Sequence, residues 1–160
     1  MLSGSWLICV MRVVIQRVSR AQVRVQNQIV GSIGLGLCVL VGIEADDTEE
    51  DALWLASKIA KLRIFNDADG KMNADLEEVS GQLLVISQFT LHAKTKKGTR
   101  PSFIRAARPE HAVPLYQTFV AACESETGTS VATGEFGATM AVDIVNDGPV
   151  TIWIDTKDKE

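Results

Sequence analysis

The segment "SQFTLH" (residues 87–92) carries side chains that could catalyse hydrolysis. Ser87 and Thr90 offer hydroxyl nucleophiles and His92 offers a base, the combination that covalent catalysis needs. If a strand predicted at 82–91 runs through this segment, Thr90 and His92 share one of its faces, but about 6.5–7 Å separates such neighbours. No acid follows to orient the imidazole. One hypothesis is therefore a Thr90-dependent esterase that acts on small substrates, and the other is a Thr–His pair without a catalytic role.

A second candidate is the segment "KTKKGTRPSFIRAAR" (94–108), which concentrates positive charge in a chain of net charge −4. Six of the sixteen lysines and arginines lie there without an intervening acid: Lys94, Lys96, Lys97, Arg100, Arg105 and Arg108. Such a segment is either a solvated loop or a local site for phosphate groups. The phosphate interpretation predicts a nucleic-acid partner, and it leaves open a binding module without catalytic activity.

The segment "NDGPVT" (146–151) separates two runs of alternating apolar and polar residues, which predict strands on both sides. Asp147-Gly148 is typical of a hairpin turn. Pro149, however, removes a backbone N–H where the next strand would use it. Either this strand is an edge strand, or the Gly-Pro peptide is presented to a ligand or a partner.

Arg17 departs from the pattern of its own segment, "MRVVIQRV" (11–18), because it falls on the apolar face of the predicted strand. The guanidinium either leaves the sheet at the strand end or, if buried, requires a carbonyl or carboxylate partner. The second alternative predicts a site beside this residue.

The remaining pattern predicts strands and two helices. The strands are expected at 11–18, 21–26, around Ile29, at 37–43 and 82–91, and on both sides of 146–151. Thr48 and Asp51 form an approximate capping box before a helix that ends near Leu62. A second helix covers 108–128, with prolines in its first turns and Gly128 at its end. We therefore expect an α+β fold with a mostly antiparallel, barrel-like sheet and two helices in a single domain.

Several functional classes find no support in the sequence. The three cysteines (Cys9, Cys38 and Cys123) fit neither a disulfide framework nor a zinc site, and no P-loop or dinucleotide fingerprint occurs. We expect neither a metal nor a cofactor. No apolar run reaches the about 18 residues of a membrane span, and the first residues lack the features of a signal peptide, which predicts a cytoplasmic protein without a membrane partner. Residues 1–10 are expected to be an extension before a domain at 11–156, and 157–160 a polar tail.

Five motifs in this order, "MRVVIQRV", "SQFTL", "KGTRPSF", "GEFGATMAV" and "NDGPVT", resemble the D-aminoacyl-tRNA deacylase family over residues 11–154. The resemblance implies hydrolysis of the ester between a D-amino acid and the 3′-terminal adenosine of tRNA, a chiral proofreading step in translation. It also implies a homodimer in which the Gly148-Pro149 element, with a cis peptide bond, enters the active site of the partner subunit.

The resemblance further assigns roles to residues. The catalytic segment is Ser87, Gln88, Phe89 and Thr90, where backbone N–H groups near Phe89 and Thr90 stabilise the oxyanion while the ribose 2′-hydroxyl assists the attack. The residues around the pocket are Gly148 and Pro149 for chirality, Arg17 to brace their carbonyls, Met140 beside the same pocket, and Phe136 near the adenosine site. In the basic segment, Lys96, Lys97 and Arg100 are expected to bind the tRNA backbone. Because glycine has no Cβ, a filter that works by rejecting L side chains is expected to accept glycyl-tRNA.

Overall fold

The computed structural model describes residues 11–160, which form eight strands, two α-helices and one 3-10 turn. Residues 1–10, predicted to be an extension, lie outside the described residues, and so does Cys9. The strands are β1 (Arg12–Val25), β2 (Gln28–Ile33), β3 (Gly36–Gly42), β4 (Phe65–Asn66), β5 (Met72–Ala74), β6 (Gln82–Ser87), β7 (Ala132–Thr133) and β8 (Ala141–Asp155). The helices are α1 (Glu49–Lys61) and α2 (Pro109–Thr127), and the 3-10 turn covers Phe89–His92.

The main sheet is organised around β1, which pairs antiparallel with β2 and β3 on one side and with β8 on the other. Beyond β3 the sheet continues with β6 and β7 in parallel pairings, so the sheet is mixed. Strand β2 curls back toward β7. A Cβ on Gly31 would lie 2.6 Å from the carbonyl oxygen of Thr133, a distance that only glycine permits. The sheet is thereby nearly closed into a barrel, and the predicted α+β class is confirmed.

The two helices pack against each other and cover one face of the sheet. Helix α1 begins as its sequence predicts, because the Asp51 carboxylate accepts the backbone N–H of Thr48 at 2.9 Å. Helix α2 ends at Gly128, whose φ of 71° is the left-handed conformation typical of a C-terminal cap. Tyr116 of α2 donates its hydroxyl proton to the Val85 carbonyl at 2.9 Å, which fixes α2 on β6 beside the residues that follow that strand.

The strand predicted at 82–91 is too long. Strand β6 ends at Ser87, and the chain then turns into the 3-10 turn, where Leu91 and Ala93 donate to carbonyls three residues earlier. The N–H of Gln88 still bonds the Val41 carbonyl at 2.7 Å, so the turn starts where pairing with β3 runs out. Thr90 and His92 therefore do not share a strand face, and the geometry assumed for a Thr–His pair is wrong.

The hairpin predicted around "NDGPVT" is also wrong, because a single strand, β8, runs through this segment along β1. Asn146 pairs with Val18 and Thr151 pairs with Gln16, so residues 147–150 lie opposite Arg17 alone. These four residues leave the line of the ladder as a bulged loop, here called the Gly-Pro loop (147–150). An edge strand can accommodate Pro149 in such a loop because no ladder bond is required of it.

Candidate active site

A pocket of about 250 Å³ opens where β6 ends and the 3-10 turn begins. One wall is formed by Ser87, Gln88 and Phe89, three of the four residues predicted to be catalytic. The segment before β8 contributes Phe136 and Met140 to the lining, two residues that were predicted to lie beside the site. The floor and sides are small or apolar residues that the sequence analysis did not select: Val41, Ile43, Ile86, Ala107, Ala112, Gly137, Ala138 and Val142.

Backbone donors rather than side chains dominate the chemistry at the mouth of this pocket. Phe89 and Thr90 are the first two residues of the 3-10 turn, where backbone N–H groups have no acceptor within the turn. No other acceptor for these two N–H groups lies among residues 11–160. The turn is held from behind, since Arg12 donates from Nη1 to the Leu91 carbonyl at 3.0 Å. Two fixed N–H groups at a pocket mouth can stabilise a negative oxygen.

The side chains of the turn do not form a nucleophile–base pair. The Thr90 side chain is exposed and its hydroxyl accepts a hydrogen bond from the Gln88 amide. His92 is 1 % exposed, and burial lowers the pKa of its imidazole because the charged form loses solvation. Its Nε2 has no hydrogen-bond partner among the described residues. The structure therefore gives no support to a Thr90–His92 dyad.

Phe136 and Met140 owe their positions to close packing around glycine. The Phe136 ring tilts against Tyr116 of α2, with centroids 5.7 Å apart. A Cβ on Gly134 would lie 2.5 Å from the Met140 sulfur, so the sulfur occupies the space that a larger residue would need. Both side chains thus line the pocket from a segment whose glycines allow a close approach. Glycine and alanine in "GEFGATMAV" were the available sequence signal for this wall.

Arg17 lies on the apolar face of β1 with 7 % of its surface exposed, and it has the partners that a buried guanidinium requires. Its Nε donates to the Asp147 carbonyl at 3.1 Å, and its Nη1 donates to the Ile64 carbonyl at 2.8 Å. The sequence-based expectation placed the brace on the Gly-Pro carbonyls, whereas the observed bond is to the residue just before Gly148. Arg17 therefore fixes the base of the Gly-Pro loop.

Residues 147–149 of the Gly-Pro loop are exposed, Val150 packs partly against the core, and none of the four lines the pocket of its own chain. The Gly148-Pro149 peptide is cis, and Gly148 has a φ of 126°. A Cβ at Gly148 would lie 3.0 Å from Arg17 Nη2 and 3.0 Å from the Val150 side chain, so the loop closes tightly around this glycine. The residues predicted to act at one site thus fall into two groups within a single chain.

The basic segment lies beside the mouth of the pocket. Lys94 and Ser102 exchange backbone hydrogen bonds of 2.7 and 2.9 Å, which close the loop that carries the exposed Lys96, Lys97 and Arg100. The Phe103 ring contacts the Phe89 ring edge to face, with centroids 5.3 Å apart. Because Phe89 lines the pocket, the loop is anchored at its entrance.

Between residues 11 and 160, no cluster of three or more His, Cys, Asp or Glu side chains is placed to hold a metal ion. Cys38 and Cys123 are buried, and burial raises the pKa of their thiols to about 11 and about 12. Neither thiol is therefore a nucleophile at neutral pH. The described helices also include none that is long and apolar enough to cross a membrane.

Fold and site together define an α+β protein whose small pocket offers backbone donors and no side-chain triad, next to a cationic loop. The model of the family described as D-Tyr-tRNA(Tyr) deacylase matches residues 14–155. A D-aminoacyl-tRNA deacylase from Akkermansia muciniphila is 59 % identical over 150 residues, which is 94 % of this chain and 100 % of the relative. The D-aminoacyl-tRNA deacylase from Flavobacterium psychrophilum is 56 % identical over the same shares.

Two solved structures share the fold. The c-Myc DNA Unwinding Element Binding Protein superposes with a TM-score of 0.83 and 38 % identity, over 89 % of this chain and 97 % of that one. A probable eukaryotic D-amino acid tRNA deacylase gives a TM-score of 0.80 over 91 % and 99 % at 20 % identity, which shows the fold alone. The chain belongs to the D-Tyr-tRNA(Tyr) deacylase family, which confirms the family inferred from the five motifs and the predicted class of enzyme.

Proposed function

We propose that this protein hydrolyses the ester bond of D-aminoacyl-tRNA and of glycyl-tRNA, releasing free tRNA and the amino acid as a proofreading step in cytoplasmic translation. The observation that carries the proposal is the pair of backbone N–H groups of Phe89 and Thr90, which have no acceptor within residues 11–160 and lie in the turn whose Phe89 lines the pocket. They suit an ester carbonyl whose oxygen becomes negative as it is attacked. Family membership supports the choice of this ester.

The reaction proceeds by addition of water to the ester carbonyl carbon, assisted by the ribose 2′-hydroxyl of the terminal adenosine. The bond between that carbon and the 3′ oxygen then breaks, and the 3′ oxygen takes a proton as the tRNA leaves. Each preorganised backbone donor lowers the barrier by about 3–4 kcal/mol. Ser87 and Gln88 shape the pocket wall, and Phe136 and Met140 receive the adenosine and the residue attached to it.

The working unit is a homodimer in which Gly148 and Pro149 complete the pocket of the partner subunit. The Gly-Pro loop is exposed and stands apart from its own pocket, so it is available to another chain. Within the described residues, β8 pairs with β1 alone, and Val142, Ile144 and Val145 are 37 %, 39 % and 42 % exposed. Val142 also lines the pocket. A second copy seated on this apolar strip would reach the pocket directly.

Chirality is enforced by rejection. Once inserted in the partner's pocket, the loop that Arg17 holds at Asp147 would exclude the Cβ of an L-residue, whereas the D side chain would point away from it. The cationic side chains of Lys96, Lys97 and Arg100 bind the tRNA backbone next to the entrance. Two other candidate functions remain. A binding module would use the same cationic loop to hold RNA without hydrolysing it, and an esterase for small substrates would hydrolyse esters that carry no tRNA.

One experiment separates these candidates. Deacylation of D-aminoacyl-tRNA is compared with that of a small D-amino acid ester at equal concentration, while sedimentation measures the oligomeric state at the assay concentration. We expect rapid hydrolysis of the tRNA ester alone, by a dimer. If the tRNA ester stays intact, the protein is a binding module without catalysis. Equal hydrolysis of both esters would favour the small-substrate esterase, and an active monomer would contradict a pocket completed by the partner subunit.

A further inference from the structure

A second cationic surface lies at the end of α1, far along the chain from the basic segment. Trp54, Lys58 and Lys61 recur at helical spacing on one face of α1, and Arg63 follows the helix. With Ser57 and Leu62 these residues line a surface depression of about 510 Å³, here called the α1 patch (54–63). Its lining contains three cations and no acid.

The charges of the α1 patch are available to a ligand. Lys58, Lys61 and Arg63 are exposed, and none of them forms an ion pair with any residue between 11 and 160. Lys58 and Lys159 lie over the Trp54 ring at 5.5 and 4.2 Å, so an aromatic ring is present among the cations. The neighbouring depression, which shares Trp54 and Lys58 with the α1 patch, also contains Asp158 and Glu160. Exposed cations beside an aromatic ring are complementary to the phosphates and bases of RNA. Lysines in a last helical turn also compensate the helix dipole, which is the structural alternative.

The α1 patch is physically tied to the Gly-Pro loop. Arg17 donates to the Ile64 carbonyl at 2.8 Å and to the Asp147 carbonyl at 3.1 Å, so a single guanidinium holds both segments. Ile64 directly follows Arg63 in the chain. The Arg63 end of the α1 patch is therefore tied through Ile64 and Arg17 to the base of the Gly-Pro loop, so the two segments keep a fixed relation.

We propose that the α1 patch binds the backbone of the tRNA whose 3′ end occupies the pocket of the partner subunit. This inference rests on the proposed function, in which the Gly-Pro loop enters that pocket. Each tRNA is then held by two cationic surfaces from different chains. The basic segment binds the tRNA whose 3′ end is in the pocket of its own subunit, and the α1 patch binds the tRNA whose 3′ end is in the pocket of the partner subunit.

The test uses heterodimers with one working pocket. Ala138→Trp fills the pocket of one subunit, since Ala138 lines it, and two affinity tags isolate the mixed dimer. Lys58→Gln, Lys61→Gln and Arg63→Gln are then placed on either the blocked or the working subunit. We expect kcat/KM for D-aminoacyl-tRNA to fall about fivefold only when they are on the blocked subunit. The matched control, Lys96→Gln, Lys97→Gln and Arg100→Gln, removes as many charges and is expected to act only on the working subunit.

Two further measurements keep the outcomes distinct. Arg63 Nε donates to the Asn73 carbonyl at 2.9 Å, so the triple variant loses this contact and could unfold. In that case a double variant, Lys58→Gln with Lys61→Gln, keeps the contact and tests the same patch. Hydrolysis of 3′-(D-aminoacyl)adenosine, which lacks the tRNA body, should not change with the α1 patch. The inference would be overturned if the α1 patch variant lowered kcat/KM for D-aminoacyl-tRNA equally from either subunit or did not lower it at all. It would also be overturned if hydrolysis of the adenosine ester fell by the same factor. Failure of the proposed function is seen separately, as absent tRNA hydrolysis or an active monomer in the unsubstituted protein.

Discussion

In the proposed function the 3-10 turn and the Gly-Pro loop both present backbone to the substrate, but the protein supports them in different ways. The turn is held by main-chain bonds, such as Gln88 to Val41, and by Arg12 on the Leu91 carbonyl. The Gly-Pro loop projects from an edge strand, and its one side-chain brace is Arg17. We call the 3-10 turn the catalytic side and the Gly-Pro loop the chirality side. Activity should therefore tolerate truncation of side chains on the catalytic side, whereas substrate selection should depend strongly on a few atoms of the chirality side.

The largest effect should come from changing the stereochemistry of the substrate. If the Gly-Pro loop acts by exclusion, as proposed, L-alanyl-tRNA should be hydrolysed about a thousandfold more slowly than D-alanyl-tRNA, which corresponds to about 4 kcal/mol. Glycyl-tRNA has no Cβ to exclude and should be hydrolysed at a rate near that of the D substrate. The measurement is deacylation of the three substrates with one enzyme preparation. Resistance of glycyl-tRNA would show that the pocket recognises a D side chain positively, and the exclusion model would be wrong.

The next largest effect tests the catalytic side. A substrate whose terminal adenosine lacks the 2′-hydroxyl should react at least about a hundredfold more slowly, the range expected when a proton-transfer group is lost. Thr90→Ala should stay within about threefold of the unsubstituted enzyme, since the side chain is exposed and bonds only the Gln88 amide. Single-turnover rates for both are compared at saturating enzyme. If Thr90→Ala is inactive with its fold and tRNA binding intact, the side chain is the nucleophile.

A third, intermediate effect tests the chirality side. Gly148→Ala should lower hydrolysis of D-aminoacyl-tRNA about thirtyfold, because the new Cβ would lie 3.0 Å from both Arg17 Nη2 and Val150 in a residue with a φ of 126°. Gly70→Ala is the matched control, since Gly70 has a φ of 75° but nothing within 4 Å of an added Cβ. The control should lose some stability and keep its activity. Equal losses of activity in both variants would mean that the effect is general strain.

The sequence predicted the supporting elements better than the two functional ones. Capping residues fixed the start of α1 and the end of α2, and apolar runs located β3 and the start of β6, because these signals act between neighbours in the chain. The two strands predicted at 11–18 and 21–26 are instead one continuous strand, β1. The end of β6 depends on where pairing with β3 stops, and the continuity of β8 depends on a register with β1 that lets four residues face Arg17. Such long-range pairings leave no local pattern. The parallel contact of β6 with β7 was not predicted for the same reason.

The smallest effect concerns the basic segment, which serves the catalytic side without touching the chemistry. Replacing Lys96, Lys97 and Arg100 with glutamine should raise KM for D-aminoacyl-tRNA about fivefold at low salt and leave kcat unchanged, because in the proposed function these exposed cations contact phosphate rather than the ester. Each lost phosphate contact should flatten the slope of log KM against log salt by about 0.7–0.9. The preference for D over L substrates should not move, since it is set by the Gly-Pro loop. An unchanged salt slope would make the segment a solvated loop, and altered chirality would mean that the two regions are coupled through Phe89 and Phe103 at the pocket entrance.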